Sequence, residues 1–202
     1  KTVPTSQTVT FEGAGDATPA TDTQNDYSFS GKHDEVTGSD TWDEESHTYG
    51  KVTVPVVQGY VADKASAGEK EVTPANPDAS DTVTYTAVGK LVPVDEDGQP
   101  ITGAPTPNYS NNPDDPTKVN PTPVPSLDGW EPVDPSDVTP DNPTTDTPVK
   151  YRHKLTDISK ATSQTVTFEG AGDATPATDT QNDYSFSGKH DEVTGSDTWD
   201  EE

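Results

Sequence analysis

Cysteine and methionine are absent from this 202-residue chain, and leucine occurs only at positions 91, 127 and 155. Without cysteine no disulfide staples the fold and no thiol serves as a nucleophile, while the redox compartment is left open. No stretch of about ten residues carries apolar side chains at every third or fourth position, which excludes helical architectures. Basic residues are scarce as well: 12 Lys and Arg stand against 37 Asp and Glu, a net charge of −25. So anionic a chain repels phosphate backbones and anionic lipid, so nucleic acid is not an expected partner. No spanning segment, signal peptide or anchor motif is found, so direct membrane insertion is not expected. If the chain belongs to a surface protein, the export and anchoring parts are expected to lie outside the sequence given.

The apolar residues that are present are mostly β-branched or aromatic, and they sit in short alternating clusters. Val9 and Phe11 alternate with Thr8 and Thr10, Tyr27 and Phe29 with Ser28 and Ser30, and Val83, Tyr85 and Ala87 with Thr82, Thr84 and Thr86. A period of two puts one face on a core and the other in water, so a mainly β fold is predicted, α+β at most. Val52 to Val57 and Leu91 to Val94 are further strand candidates, moved toward edges or bulges by Pro55 and Pro93. Asp95-Glu96-Asp97-Gly98 is a turn that closes a hairpin onto Ile101. Ala104 to Ser126 is proline-rich and reads as a stiff spacer or ordered arm, with a functional loop as the alternative.

Internal repeats set the organisation. Thr5 to Glu45 recurs unchanged as Thr162 to Glu202, 41 residues at a shift of 157. Identity that includes loops and exposed positions exceeds what packing demands and points to recent duplication. A diverged repeat lies inside that unit. Gly59-Tyr60, Val72-Thr73-Pro74 and Val83-Thr84-Tyr85 are echoed by Gly129-Trp130, Val138-Thr139-Pro140 and Val149-Lys150-Tyr151, with a shift of 66 from Val72 onward. Three modules follow: 5–88, 89–157, and a truncated third over 158–202. The last has no closing strand of its own and is expected to be frayed, swapped with a neighbour, or folded with shifted boundaries.

The run Phe11-Glu12-Gly13-Ala14-Gly15-Asp16, the later Gly59-Tyr60-Val61-Ala62-Asp63, the hairpin Pro93 to Ile101 and the stretch Asp146 to Tyr151 together resemble the mucus-binding (MucBP-type) repeats of lactobacillus cell-surface adhesins. The resemblance implies tandem β-grasp-like modules in an elongated arrangement. It also implies attachment to mucin glycans and, for some such repeats, to immunoglobulins. It places the chain as a monomeric repeat of a longer, cell-wall-anchored extracellular protein whose anchor lies beyond this sequence. No short motif fixes the binding residues of such repeats, so none is carried across.

The residues offer no catalytic or cofactor site. Four histidines, at 33, 47, 153 and 190, include one copied pair, and no nucleophile-base arrangement is readable. Gly13-Ala14-Gly15 precedes coil rather than a helix and reads as a turn. The acidic pairs Asp95 with Asp97 and Asp114 with Asp115 lack calcium-loop spacing and read as solvated turns, so no metal is expected. Five residues are candidates for ligand contact. Trp42, flanked by Asp40, Asp43, Glu44 and Glu45, either stacks on a sugar ring or packs inward. Tyr109 sits in the long loop and is expected to be exposed. Lys150, Arg152 and Lys154 share one face of a strand and would suit sialic acid or sulfate, although a solvated face that discourages edge pairing is the preferred reading. Tyr60 and Trp130 occupy equivalent positions and are expected in the core. The chain is read as a non-enzymatic adhesin repeat working by multivalent weak contacts, with a non-binding spacer as the alternative.

Overall fold

The structure, a computed structural model, describes residues 1–200; the last two residues of the second 41-residue copy lie outside the described part. The chain divides into two compact units, one of Lys1–Val92, Pro105–Val124 and Ser136–Pro148, the other of Pro93–Ala104, Pro125–Pro135 and the chain from Val149 onward.

In the first unit the alternating residues form strands as expected. Ser6–Glu12 and Asp78–Ala87 run parallel, with Val9 opposite Asp81 and Phe11 opposite Val83. Asp22–Gln24 flanks the first of them and Tyr60–Ala62 the second, both antiparallel. First and last strands thus lie side by side at the centre of a four-stranded sheet, with their antiparallel partners outside. This is the strand order of a β-grasp sheet. The only helical elements among the described residues are two short 3₁₀ turns, at Gly15–Ala17 and Gly172–Ala174. In place of a helix, Lys51–Thr53 pairs with Ser66–Gly68, and Val54, Val57 and Ala67 pack against Val9, Phe11, Val83 and Tyr85. Of the strand expected over Val52 to Val57, only its start is ladder-paired. Pro55 removes a donor there, and its carbonyl instead accepts the Tyr85 hydroxyl at 2.7 Å.

A second cluster, Phe29, Tyr49 and Val72, is built from other elements. Ser28–His33 lies between Thr2–Pro4 and Asp40–Trp42 in a three-stranded sheet, and His47–Thr48 pairs with Glu71–Val72. Gln7 is fully buried. Its amide donates to the Gly50 carbonyl at 2.9 Å and accepts from the Lys70 amide at 2.9 Å.

The proline-rich segment is an ordered arm. Asn111 accepts from Gly59 N at 2.8 Å and donates to Tyr60 O at 2.6 Å, while the Pro116 carbonyl accepts from Ala62 N at 2.8 Å. The arm therefore covers the outer edge of the Tyr60–Ala62 strand, whose backbone groups would otherwise be open to pairing with another chain. Asn112 and Asp115 fix its turns with side-chain to backbone hydrogen bonds.

In the second unit, Trp130–Pro132 pairs with the last residues of the strand Thr147–His153 so that Trp130 faces His153 and Pro132 faces Tyr151. The register is that of Tyr60 with Ala87 and Ala62 with Tyr85 in the first unit. Even the tyrosine hydroxyl repeats its bond, Tyr151 donating to the Pro125 carbonyl at 2.5 Å. The hairpin expected at Asp95 to Gly98 is present: Asp95 N donates to Gln99 O at 2.9 Å and Ile101 N to Pro93 O at 3.0 Å. Leu155–Ala161 pairs with Ser185–Asp191, which also pairs with Asp197–Trp199.

Candidate ligand-binding surface

Trp42 is held by its own hairpin. It stands opposite Gly31, where an added Cβ would lie 2.8 Å from Trp42 Cε3 and 2.4 Å from the Thr41 carbonyl. Glycine therefore lets the indole lie across the neighbouring strand. One side of the half-buried ring packs on Phe29, Tyr49 and Val72. The rest borders a depression of about 520 Å³ lined by Asp40, Thr41, Trp42, Glu45 and Thr73 to Ala75. The far wall is rigid, because Thr73 and Asn76 exchange backbone hydrogen bonds at 3.0 Å around Pro74 and Ala75.

Charge at this depression is organised. Lys1 Nζ lies 5.7 Å from the Trp42 ring centroid and is ion-paired with Asp40. Asp40 also meets His33 Nδ1 at 2.6 Å. The hydrogen bond from Lys1, then that from His33, holds the Asp40 carboxyl below its usual range. Nearby, Tyr27 donates to Glu44, stacks on His47 at 3.8 Å, and has its pKa pushed up to about 12, first by that hydrogen bond. An indole beside the carboxylates of Asp40 and Glu45 suits the apolar face and hydroxyl donors of a neutral sugar.

The strand Thr147–His153 alternates as expected as far as His153, and Lys154 lies just past its end. Val149 and Tyr151 are buried, His153 is partly buried, and Lys150, Arg152 and Lys154 are exposed. Arg152 Nε donates to its cross-strand neighbour Glu131 at 2.6 Å, so an anionic ligand must compete with that carboxylate for the guanidinium. His153 meets Asp191 Oδ2 at 2.8 Å, and that contact, first among several, draws the Asp191 carboxyl far below the usual range. Trp130 packs edge-on against His153, ring centroids 4.6 Å apart, and is half-buried. Tyr60 is likewise half-buried, against the larger core cluster.

Tyr109 is where the expectation fails. It is 3% exposed, its amide donates to Gly89 O at 3.0 Å, and its hydroxyl donates to Thr147. A loop as polar as this one needs an apolar anchor to stay ordered, and Tyr109 is that anchor rather than an exposed ring. The structure adds Thr73, Pro74 and Ala75 beside Trp42, and Lys1 over it. The Thr-Pro corner is readable in the sequence, but its placement depends on pairing between Glu71–Val72 and His47–Thr48, for which two residues per strand leave no periodic signal. Among the described residues, no three His, Asp or Glu side chains converge as metal ligands.

Residues 1–89 match the family of Muc B2-like domains. Among solved structures, 43% of the chain is similar to the MucBP domain of a Lactobacillus acidophilus protein, at 26% identity and a TM-score of 0.32, covering 93% of that chain. A further similarity, over 43% of this chain and 50% of the other, is to the type 2 repeat of the mucus binding protein MUB from Lactobacillus reuteri, at 27% identity and a TM-score of 0.34. The mucin-binding domain of a Streptococcus pneumoniae protein is 19% identical over 44% of this chain and 93% of that one, with a TM-score of 0.34. Among curated proteins none matches.

Proposed function

We propose that this chain, whose residues 1–89 match the family of Muc B2-like domains, is a mucus-binding adhesin repeat that acts at the bacterial cell surface by many weak contacts with mucin glycoproteins. The match of residues 1–89 to that family carries the reading. The depression beside Trp42 supplies a physical means: the indole stacks on a pyranose ring while Asp40 and Glu45 accept from sugar hydroxyls. A single stacked ring is worth little, on the order of 1 kcal/mol. Affinity then comes from repetition, since one bound copy raises the effective concentration of the next.

The test measures retention of the chain on native and on enzymatically deglycosylated mucin, with immunoglobulin as a parallel surface. The adhesin reading expects retention on native mucin that falls at least several-fold on deglycosylated mucin and with Trp42→Ala. Retention on neither mucin nor immunoglobulin identifies a structural spacer instead. Anionic groups of mucin are the second contact we propose, at Lys150, Arg152 and Lys154, supported by the exposure of all three side chains. Changing all three to Gln is expected to weaken retention on sialylated mucin and leave desialylated mucin unaffected.

A further inference from the structure

Three of the four histidines meet an aspartate carboxylate, and one of these pairs differs in kind from the other two. His33 with Asp40 and His190 with Asp197 are cross-strand neighbours inside single hairpins. His153 with Asp191 instead joins the second copy of the 41-residue segment to the chain that precedes it. His153 ends the strand Thr147–His153 and Asp191 ends Ser185–Asp191, and Nδ1 of the one lies 2.8 Å from Oδ2 of the other.

The pair sits within a larger junction. Only Lys154 separates Thr147–His153 from Leu155–Ala161, so a strand rather than a loose linker leads into the second copy. Lys154 N donates to the Gly129 carbonyl at 2.8 Å, and the Lys154 carbonyl accepts from Glu192 N at 3.1 Å. Thr156 Oγ1 donates to Glu192 Oε1 at 2.9 Å. At Gly129, whose φ is +79°, an added Cβ would stand 3.2 Å from the Glu192 carbonyl oxygen and 3.3 Å from Val193 Cγ2. The turn that makes these contacts is built alike in both copies. Asp34 Oδ1 accepts from Val36 N at 2.8 Å and Thr37 N at 3.1 Å; Asp191 Oδ1 accepts from Val193 N at 2.9 Å and Thr194 N at 3.1 Å. One carboxylate oxygen shapes the turn, which leaves the other for His153.

We propose that this junction is a proton-gated latch between consecutive repeats, in which protonated His153 holds the Asp191 turn and neutral His153 releases it. Imidazole ordinarily titrates near pH 6.5, and the His153 side chain is 34% exposed, open enough to exchange its proton with water. Asp191 stays ionised through mild acid, because the His153 contact, first among several, holds its carboxyl far below the usual range. The other charged groups around the junction favour the cation. The hairpin brings Glu192 and the His190–Asp197 pair; the strand Trp130–Pro132 brings Glu131, which is bound to Arg152; Lys154 follows on the chain itself. Carboxylates outnumber permanent cations there. Stabilisation that depends on a protonated base is complete below its titration and is lost as pH rises through it. The latch is therefore tight in mild acid and loosens above about pH 7.

The test follows amide hydrogen exchange in the intact chain by NMR between about pH 5.5 and pH 8, with each rate divided by the intrinsic rate at that pH. Glu192 N reports the latch, since it donates across the junction; Val36 and Thr37 in the identical turn are the internal reference. The inference expects Glu192 to be about fivefold more protected at pH 5.5 than at pH 8, a modest factor because the ion pair is partly exposed, and the reference amides to be unchanged. His153→Gln keeps a polar contact without a titrating charge, and Asp191→Asn keeps the oxygen that shapes the turn. Either substitution should make Glu192 protection the same at both pH values. Equal protection at both pH values in the unaltered chain overturns the inference, and so does a difference that survives either substitution, which would assign the effect to His190. The outcome is independent of whether the chain binds mucin.

Discussion

Gln7 and Gln164 are the same residue in the same local sequence, which makes them an internal measure of context. Gln7 is fully buried with both ends of its amide satisfied; Gln164 is exposed. Replacing Gln7 by Ala leaves the Lys70 amide without its side-chain partner and removes the shortest of three hydrogen bonds to the Gly50 carbonyl, which still accepts from Glu69 N at 3.3 Å and Gln24 Nε2 at 3.4 Å; a lost partner of this kind costs on the order of 1–3 kcal/mol. Gln164→Ala at an exposed position should stay within about 0.5 kcal/mol. Chemical denaturation of the two variants reads the difference directly, and equal losses would mean that the buried amide is not what holds the turn at Gly50. Trp42 and Trp199 make a similar pair for binding. Trp42 has a rigid wall facing it, whereas Trp199 borders an open cavity, so Trp42→Ala should reduce mucin retention more than Trp199→Ala.

Among the elements, the closing strands carry the clearest prediction. Tyr85 and Tyr151 stand at equivalent positions, are buried, and donate to the equivalent carbonyls of Pro55 and Pro125. Phenylalanine at either position keeps the ring and orphans the carbonyl, so each substitution should cost about 1 kcal/mol, measured as a lowered denaturation midpoint with an unchanged slope. The equivalence of the two tyrosines was readable in advance, because the Val-x-Tyr run recurs at the constant shift of 66 that holds from Val72 onward. The alternation of Val9 with Phe11 and of Val83 with Tyr85 was readable because it is a local signal. What the sequence hid is which strands meet. That Ser6–Glu12 lies beside Asp78–Ala87 rests on pairing across more than sixty residues, and nothing in either run names the other. The same limit applies to the candidate surface: Trp42 was legible as an aromatic among acids, but its wall at Thr73 to Ala75 comes from a two-residue pairing. Tyr109 misled because a long polar loop reads as solvated, and a lone aromatic within it reads as exposed, until the arm is seen to need an anchor.

For the whole molecule the governing quantity is charge, −25 at neutral pH. Carboxylates ordinarily protonate near pH 4, so mild acid reduces repulsion between this chain and an anionic mucin. The carboxylates that hold the structure titrate lower. Asp115, which fixes a turn of the arm, is drawn down to about 2, first by the Thr117 hydroxyl, then by the Thr117 amide and Lys118. Asp81 is lowered first by its ion pair with Lys64, 2.9 Å away. A folded-state pKa below the unfolded value means the stabilisation is fully present above about pH 4 and is lost as pH falls through the folded value. The proposed adhesion and the fold should therefore respond to acid in separate windows. Between about pH 4 and 5 retention on mucin should exceed that at pH 7 while the β-sheet circular dichroism is unchanged; only toward pH 2 should the fold weaken. Salt separates the cause: at about 0.5 M the screening length falls below roughly 5 Å, and the difference between pH 4.5 and pH 7 should shrink. Equal retention at both pH values in low salt would show that repulsion between the two anionic partners does not limit their contact.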